Sequence, residues 1–248
     1  MSAAAPPLRA TAAMTAMELR LTARRGENLL VTIVIPAVVL LFFASVSVLP
    51  TAGPPVDFLL PGSLALAVIA TSLVNLGIAT GYERHYGVLK RLGGSPLTRS
   101  QLLVAKIGAV VVVEIAEFVL LVAIAVVVLG WRPAPGAPVG LVGVGLFLGT
   151  VAFAGLGLAM AGGLRAEATL ALANGLFLAF LLLGGIVLPV DHLPGPLASI
   201  ASVLPAAALA DLFRAAFGAS ADIVRSVVVL GLWGVGAVVV AATTFSWD

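Results

Sequence analysis

Long apolar runs, separated by short polar breaks, dominate the chain. Six of them are long enough to cross a hydrocarbon core about 30 Å thick, which takes about 20 residues of helix. We place them at residues 29–50, 59–80, 102–129, 139–162, 169–189 and 223–244. Turn-rich stretches such as "GWRPAPGAP", after the third run, separate them. The pattern predicts an all-α polytopic membrane protein with six transmembrane helices in one domain, residues 29–244.

Composition agrees with this prediction. Of 248 residues, 61% are hydrophobic and only 10% are charged, whereas soluble domains carry about 25% charged residues. The chain has no cysteine, which excludes disulfides, thiolate catalysis and zinc–thiolate sites. Its richness in Ala, Gly, Val and Arg indicates a GC-rich bacterial source. We therefore expect a multi-pass protein of the bacterial inner membrane.

The distribution of basic residues predicts the orientation. With both termini in the cytoplasm, 10 of the 13 Lys and Arg residues lie on the inner side or at its edge, and three lie outside. Cytoplasmic segments of membrane proteins carry this excess of positive charge. We therefore expect residues 1–28 and 82–100 to be cytoplasmic, and residues 190–222 to be extracytoplasmic.

The stretch 82–106, "YERHYGVLKRLGGSPLTRSQLLVAK", is organised by glycine and proline. "VLKRL" predicts a short cytoplasmic helix between spans 2 and 3, with Gly87 interrupting the chain before it. Gly93 and Gly94 suit a left-handed residue at its end, and Thr98 is a candidate N-cap for span 3. The alternative is a plain charged loop that only enforces topology.

Two further segments predict short helices. Met14, Met17 and Leu21 share a helical stripe, which favours an interfacial helix within residues 1–28, although a disordered basic tail is the alternative. Between spans 5 and 6, residues 206–217 favour a short amphipathic helix, and the alternative there is a solvated loop. Gly145 and Gly149 in span 4 predict close helix packing.

Span 3 carries two acidic residues, Glu114 and Glu117, on one helix face. A carboxylate at this depth must face protein or water. We expect it to be protonated, hydrated, bonded to a neighbour such as Asn75 or Asn174, or matched in another protomer. Two interpretations stay open: a wet pathway for a cationic or polar substrate, or protonated glutamates that bond across a subunit interface.

The sequence lacks several chemical motifs. It has no phosphate-binding loop for ATP and no G-x-S-x-G nucleophile elbow. His85 and His192 fall on opposite sides of the membrane in this topology, so they cannot share a metal. We expect no enzyme activity, no cofactor or metal in this chain, and no nucleic-acid partner.

Two stretches resemble the permease subunits of type-2 ATP-binding-cassette (ABC) exporters. The first, residues 58–106, has Pro61-Gly62, the acidic–basic pair Glu83-Arg84, then Gly87 and "LKRL". A "Ser-Pro-Leu" turn and "LLVAK" at the start of span 3 follow. The second, residues 184–217, has Gly185, Pro189, "LP", Pro205 and "DLFR". The resemblance covers nearly the whole chain.

The resemblance implies a transport subunit whose motor is a separate cytoplasmic ATPase, which binds ATP and Mg²⁺. In that family the short cytoplasmic helix docks on the ATPase, and the segment between spans 5 and 6 forms short helices that dip back toward the membrane. The residues implied in coupling to the ATPase are Glu83, Arg84, Gly87, Leu89, Leu92, Pro96 and Leu97. Leu89 and Leu92 would be anchors in the ATPase, while Glu83 and Arg84 would pair across the interface.

The leading interpretation is an export permease for a hydrophobic or amphipathic substrate: a drug, an antibiotic or a lipid. It would pair with a second permease copy, as a homodimer or a heterodimer. One alternative is a proton-coupled secondary carrier that uses Glu114 and Glu117 as its relay. Another is a membrane assembly or immunity subunit without transport.

Overall fold

The computed structural model describes residues 7–24, 26–46, 53–94 and 98–244, and every regular element in these ranges is a helix. The first helices are α1 (Pro7–Arg24), α2 (Gly26–Ser45) and α3 (Pro55–Val68). A wider turn, the π segment (Ile69–Asn75), continues α3 into α4 (Leu76–His85), and α5 (Val88–Gly93) follows. The fold class predicted from the sequence is confirmed.

The second part of the chain holds the remaining helices. They are α6 (Arg99–Val127), α7 (Leu141–Gly163), α8 (Ala166–Leu183), a single 3₁₀ turn (Val190–His192), α9 (Gly195–Ala201), α10 (Pro205–Ala216) and α11 (Ile223–Thr244). Helices α9 and α10 are bent against each other by 74° at a short break. The helix expected between spans 5 and 6 is therefore confirmed as α10.

Within the described residues, five continuous helices are long and apolar enough to cross a membrane, and they correspond to predicted spans 2 to 6. Predicted span 2 runs from Pro55 to His85, longer than the predicted 59–80, because the helix continues through its charged end. The first predicted span, 29–50, corresponds to α2 as far as Ser45, and its last residues, 47–50, lie outside the described residues. The bent pair α9–α10 is apolar enough to count as a further span.

The helix from Pro55 to His85 is the centre of the bundle. Of the 18 residues in its most apolar stretch, 89% are buried, whereas the corresponding share is 22–50% in the other four long helices. Glycine permits the closest approach: a Cβ atom on Gly157 of α7 would lie 2.9 Å from the carbonyl oxygen of Leu73 in the π segment. This contact brings α7 directly against the central helix.

Small residues of α7 also make room for α10. A Cβ atom on Gly145 would lie 2.6 Å from the Phe213 ring, and one on Gly149 would lie 2.9 Å from Leu209. The predicted close packing at these two glycines is confirmed, and its partner is the short helix α10. Almost every residue of α10 is buried between α3, α7, α8 and α11.

The predicted short helix in 82–106 is confirmed as α5. Gly87 precedes it with a positive φ of 66°, which favours glycine. Thr98 caps α6, and its hydroxyl accepts from the Gln101 amide at 3.2 Å. The expectation of a left-handed glycine at the end of α5 is wrong for Gly94, whose φ is −81°.

The N-terminal segment forms the helix α1, which is described from Pro7 to Arg24. This helix packs along α6. Its Met14 is buried against α5 and α6, while Met17 is half exposed. We call the end of the bundle that holds α1, α5 and the α7–α8 junction the basic end.

Candidate functional site

Two carboxyl groups are buried in the middle of the bundle. Glu114 and Glu117 project from α6, and their exposed fractions are 0% and 2%. They are three residues apart and therefore lie on one helix face. Side chains of this chain enclose both carboxyl groups.

Hydroxyl groups surround both carboxyls. Ser72 donates to Glu114 Oε1 at 2.6 Å, and Thr150 Oγ1 lies 2.6 Å from Glu114 Oε2. Thr71 Oγ1 lies 3.0 and 2.9 Å from the two carboxyl oxygens of Glu117. Thr32 of α2 also bonds Glu117. Four elements, α2, the π segment, α6 and α7, thus meet in one polar cluster, the carboxyl cluster.

The π segment explains how two consecutive residues reach the same neighbour. Successive side chains diverge by about 100° on an α-helix, which has 3.6 residues per turn. The i→i+5 bonding of a π-helix gives a wider turn and a smaller step, and such turns are frequent at functional sites. Thr71 and Ser72 can therefore both face α6.

The asparagines expected beside the glutamates do not bond them. Asn174 is exposed on α8 and donates to its own helix, to the Leu170 carbonyl at 2.8 Å. Asn75 is half buried at the end of the π segment and lines a cavity next to Thr71. Among the described residues, hydroxyls take the place that we expected the amides to hold.

A second buried cluster lies at the basic end. Lys106 Nζ lies 2.6 Å from Glu83 Oε2 and 2.9 Å from Glu18 Oε1, and the lysine is only 2% exposed. Three helices, α1, α4 and α6, each contribute one of these side chains. Glu83 is thus 8% exposed and pairs inside the chain. The expectation that it pairs with an ATPase stays a prediction, and within this chain its partner is Lys106.

Arg84 also has its partners within the chain. Its guanidinium donates to the carbonyl oxygens of Gly162 and Leu164 at the end of α7. These carbonyls lie where a helix leaves acceptors without partners and where its dipole favours a cation. Arg84 thus joins α4 to the α7–α8 junction, while its expected pairing with an ATPase stays a prediction.

The side chains of α5 divide between two faces. Leu89 is fully buried beside Met14 and Leu102, and Leu92 is half buried against the same residues. The leucines expected to be anchors in a partner therefore contact this chain. The outward face holds other residues: Tyr86, which is 65% exposed, Val88, Lys90 and Arg91. Pro96 and Leu97 lie outside the described residues.

A third polar group lies toward the opposite end of the bundle. Arg214 of α10 pairs with Asp211 at 2.8 Å, donates to the Gly185 carbonyl, and lies 4.0 Å from the centroid of the Phe58 ring. Gly185 adopts a φ of 63°, which favours glycine. These contacts hold α10 against α3 and the end of α8.

Weak signals in the sequence point to the hydroxyl partners of the two carboxyls. Thr150 is the only hydroxyl residue in α7, and Thr71 and Ser72 form a polar pair inside an apolar run. Glu18 lies far along the chain from Lys106, so the pairing could not be inferred without the packing of α1. In the described residues, no group of His, Asp and Glu could hold a metal ion.

Apolar helices around a buried polar centre define a multi-pass α-helical membrane protein. The chain belongs to the ABC-2 type transporter family, whose family model matches residues 9–217. This match extends from the start of α1 to the residue after α10, and it confirms the resemblance found in the sequence. A comparison with curated protein sequences found no match. The chain is therefore a membrane component of a transport system.

Proposed function

We propose that the chain is the permease subunit of an ABC exporter, driven by ATP hydrolysis on a separate cytoplasmic subunit. It would move a hydrophobic or amphipathic substrate, such as a drug, an antibiotic or a lipid, outward across the bacterial inner membrane. The observation that carries this proposal is α5. Its inner face is built into the bundle, while its outer face offers contacts to another protein.

The docking face is the outer side of α5, formed by Val88, Lys90 and Arg91, together with Tyr86 at the end of α4. It combines an aromatic ring, an apolar side chain and two cations, a mixture that suits a groove with an apolar floor and an acidic rim. Aromatic and arginine side chains are frequent among the residues that carry binding energy at interfaces. Leu89, on the inner face, would hold α5 on the bundle while the ATPase contacts the other side.

Contacts around α5 would carry its displacement into the spans. Leu89 joins it to α1 and α6, and Gly87 joins it to α4. Just above, the Glu83–Lys106 pair joins α4 to α6, and Arg84 joins α4 to the end of α7. A displacement of the docking face would therefore be passed to four helices, α1, α4, α6 and α7. The contacts that pass it on lie within about one turn of the end of α4.

The orientation follows from charge. The basic end would face the cytoplasm with both termini, as the excess of Lys and Arg there favours. ATP and Mg²⁺ would bind only on the partner subunit, and this chain would carry no cofactor. A second permease copy, identical or related, would share with the lipid bilayer the exposed apolar surfaces of α6, α8 and α11.

Cysteine cross-linking tests the docking face. Because the natural chain has no cysteine, Val88→Cys introduces a single thiol on α5. With a thiol-specific photo-crosslinker and the co-expressed ATP-binding-cassette subunit, this variant should form a cross-link to that subunit. Ser199→Cys, exposed on α9 at the far side of the bundle, is the matched control and should give none. No cross-link from α5 would contradict the proposed docking.

Flux measurements separate the proposed function from its alternatives. In vesicles that contain both subunits, ATP should drive export and dissipation of the proton gradient should leave it intact. A proton-coupled carrier would instead work without the ATPase when a pH gradient is imposed. An assembly or immunity subunit would bind its partner and show no flux in either condition.

A further inference from the structure

We propose that Glu114 and Glu117 form a proton-binding site that is reached from the basic end of the bundle through a small polar cavity. The ligand is a proton, and the site holds at least one in the conformation described here. This inference goes beyond the proposed ATP-driven transport. It rests on that proposal only in identifying the basic end with the cytoplasm.

The hydroxyl of Thr150 supplies the first argument. Its single hydrogen has two acceptors within reach, the Leu146 carbonyl at 2.7 Å and Glu114 Oε2 at 2.6 Å. A hydroxyl donates one hydrogen and accepts others, so it cannot donate to both. If Glu114 carries a proton on Oε2, the carboxyl donates to Thr150, and Thr150 donates to Leu146. A protonated carboxyl gives each of the two short contacts a hydrogen of its own, whereas an ionised one leaves them to share a single hydrogen.

The balance of charge supplies the second argument. Glu114, Glu117 and Lys106 are all buried residues of α6. Lys106 lies eight residues before Glu114, which is about 12 Å along the helix. That lysine already pairs with Glu18 and Glu83. Among the described side chains, four buried carboxyls thus accompany one buried amine in a mostly apolar interior, where an unpaired charge is strongly disfavoured. Protonation of Glu114 and Glu117 removes the excess negative charge.

Among the described side chains, the other elements around the pair provide no compensating cation. The π segment and α7 offer hydroxyls, and α2 between Thr32 and Ser45 contains no charged residue. Farther away, Arg214 of α10 is committed to Asp211, and the Asp57 carboxylate of α3 accepts from the Trp131 indole at 2.9 Å. The described side chains of α8 include one acidic residue, Glu167, which is exposed.

A small cavity of about 30 Å³ links the two buried clusters. Glu18 and Lys106 line it on one side, and Thr71 and Asn75 line it on the other. This volume has room for about one water molecule, and a buried water needs two to four polar partners, which these side chains supply. Thr71 also contacts Glu117, so one hydroxyl borders both the cavity and the pair.

Beyond the pair, the path is apolar. The next inward-facing residues of α6 are Phe118 and Leu121, both buried, and the Phe118 ring meets Phe213 edge to face with centroids 5.4 Å apart. In this conformation the stretch of α6 beyond the pair, from Phe118 onward, therefore offers no polar route to the carboxyls among the described residues. A hydronium ion in the cavity would give up one O–H bond, the proton would pass by way of the Thr71 hydroxyl to the carboxylate, where a new O–H bond forms, and a neutral water would remain in the cavity.

Infrared spectroscopy of the full chain in lipid bilayers tests the bound proton. At neutral pH the wild-type protein should show the C=O stretching band of a buried carboxylic acid, and E114Q with E117Q should remove it. Glu167→Gln is the matched control and should leave the band unchanged. Wild-type protein without this band would overturn the proposal, whether or not the variants fold.

The access route is tested by the rate at which the same band shifts after transfer to D₂O. Thr71→Val removes the hydroxyl at the cavity and should slow the shift about tenfold. Thr80→Val removes another buried hydroxyl of the same continuous helix that does not line the cavity, and it should not slow the shift. Equal rates in both variants would overturn the route.

One further result would overturn the identity of the ligand. If replacing Na⁺ by K⁺ or by an organic cation at constant pH changes the band, the carboxyls bind a metal cation and the bound species is not a proton. Because these measurements need neither ATP nor the ATPase, their failure would not affect the docking experiment.

Discussion

The amine of Lys106 and the carboxylate of Glu83 lie 2.6 Å apart, with both side chains almost wholly enclosed by the protein. Each residue belongs to a different membrane-spanning helix, and Glu18 of α1 completes the group. Two carboxylates on one buried amine bind three helices together next to α5. Glu83, which the resemblance places in the coupling element, thus helps to hold the helices of this chain together.

Removal of the buried amine should destabilise the fold. Lys106→Met leaves Glu18 and Glu83 without their cation, and loss of one partner of a buried ion pair costs about 3–5 kcal/mol. We expect a clearly lower thermal unfolding midpoint in detergent. Lys90→Met, on the exposed face of α5, is the control and should change little. Addition of Glu83→Gln and Glu18→Gln to the Lys106 variant should restore part of the loss; no restoration would contradict the pairing.

Arg84 should act through the stability of the chain. Arg84→Gln loses two charge-assisted hydrogen bonds to the end of α7. Each hydrogen bond to a charged group contributes about 1.5–3 kcal/mol to the free energy of unfolding. We expect a lower unfolding midpoint of the isolated chain, without any ATPase present. A variant that is as stable as wild type but no longer binds the ATPase would instead place Arg84 at the interface.

Two glycines of α7 give a matched comparison. Gly157→Ala would push a Cβ atom to within 2.9 Å of the Leu73 carbonyl, a backbone group that cannot easily move. Overpacking of this kind costs about 1–3 kcal/mol. Gly143→Ala on the same helix meets nothing within 4 Å and should be neutral or slightly stabilising. Equal unfolding midpoints for the two variants would contradict the close contact of α7 with the π segment.

The glycines on either side of α5 should differ in their tolerance of alanine. Gly87 has a φ of 66°, and a side chain in that conformation costs about 1–2 kcal/mol. Gly87→Ala should therefore reduce the cross-linking of Val88→Cys to the ATPase, because α5 is tilted. Gly94→Ala, at a φ of −81°, should cross-link as efficiently as the parent variant. The reverse order would contradict the backbone geometry.

Features that depend on local sequence could be predicted. Helix α11 begins at the predicted residue 223, because a long apolar run follows a polar segment, and it is helical as far as Thr244, the last described residue. Thr98 was identified as an N-cap because a cap depends on residues within one turn. The position of α5 followed from Gly87 in the same way.

Features that depend on packing between distant segments could not be predicted. Leu89 is apolar on a short helix, and the sequence does not reveal whether such a side chain faces its own bundle or a partner. The π segment, likewise, has no glycine or proline to signal it. Its wider turn was found only where Thr71 and Ser72 meet the glutamates of α6, 42–46 residues away along the chain.

The helix from Pro55 to His85 spans about 46 Å as a single rod. One end is tethered by the bond between Asp57 and Trp131, and the other by Glu83 and Arg84. A rotation of α4 about its axis, applied at the end next to α5, must pass through the π segment before it reaches α3. Because Thr71 and Ser72 sit on that turn, any twist of the rod pulls directly on the hydrogen bonds of the carboxyl pair.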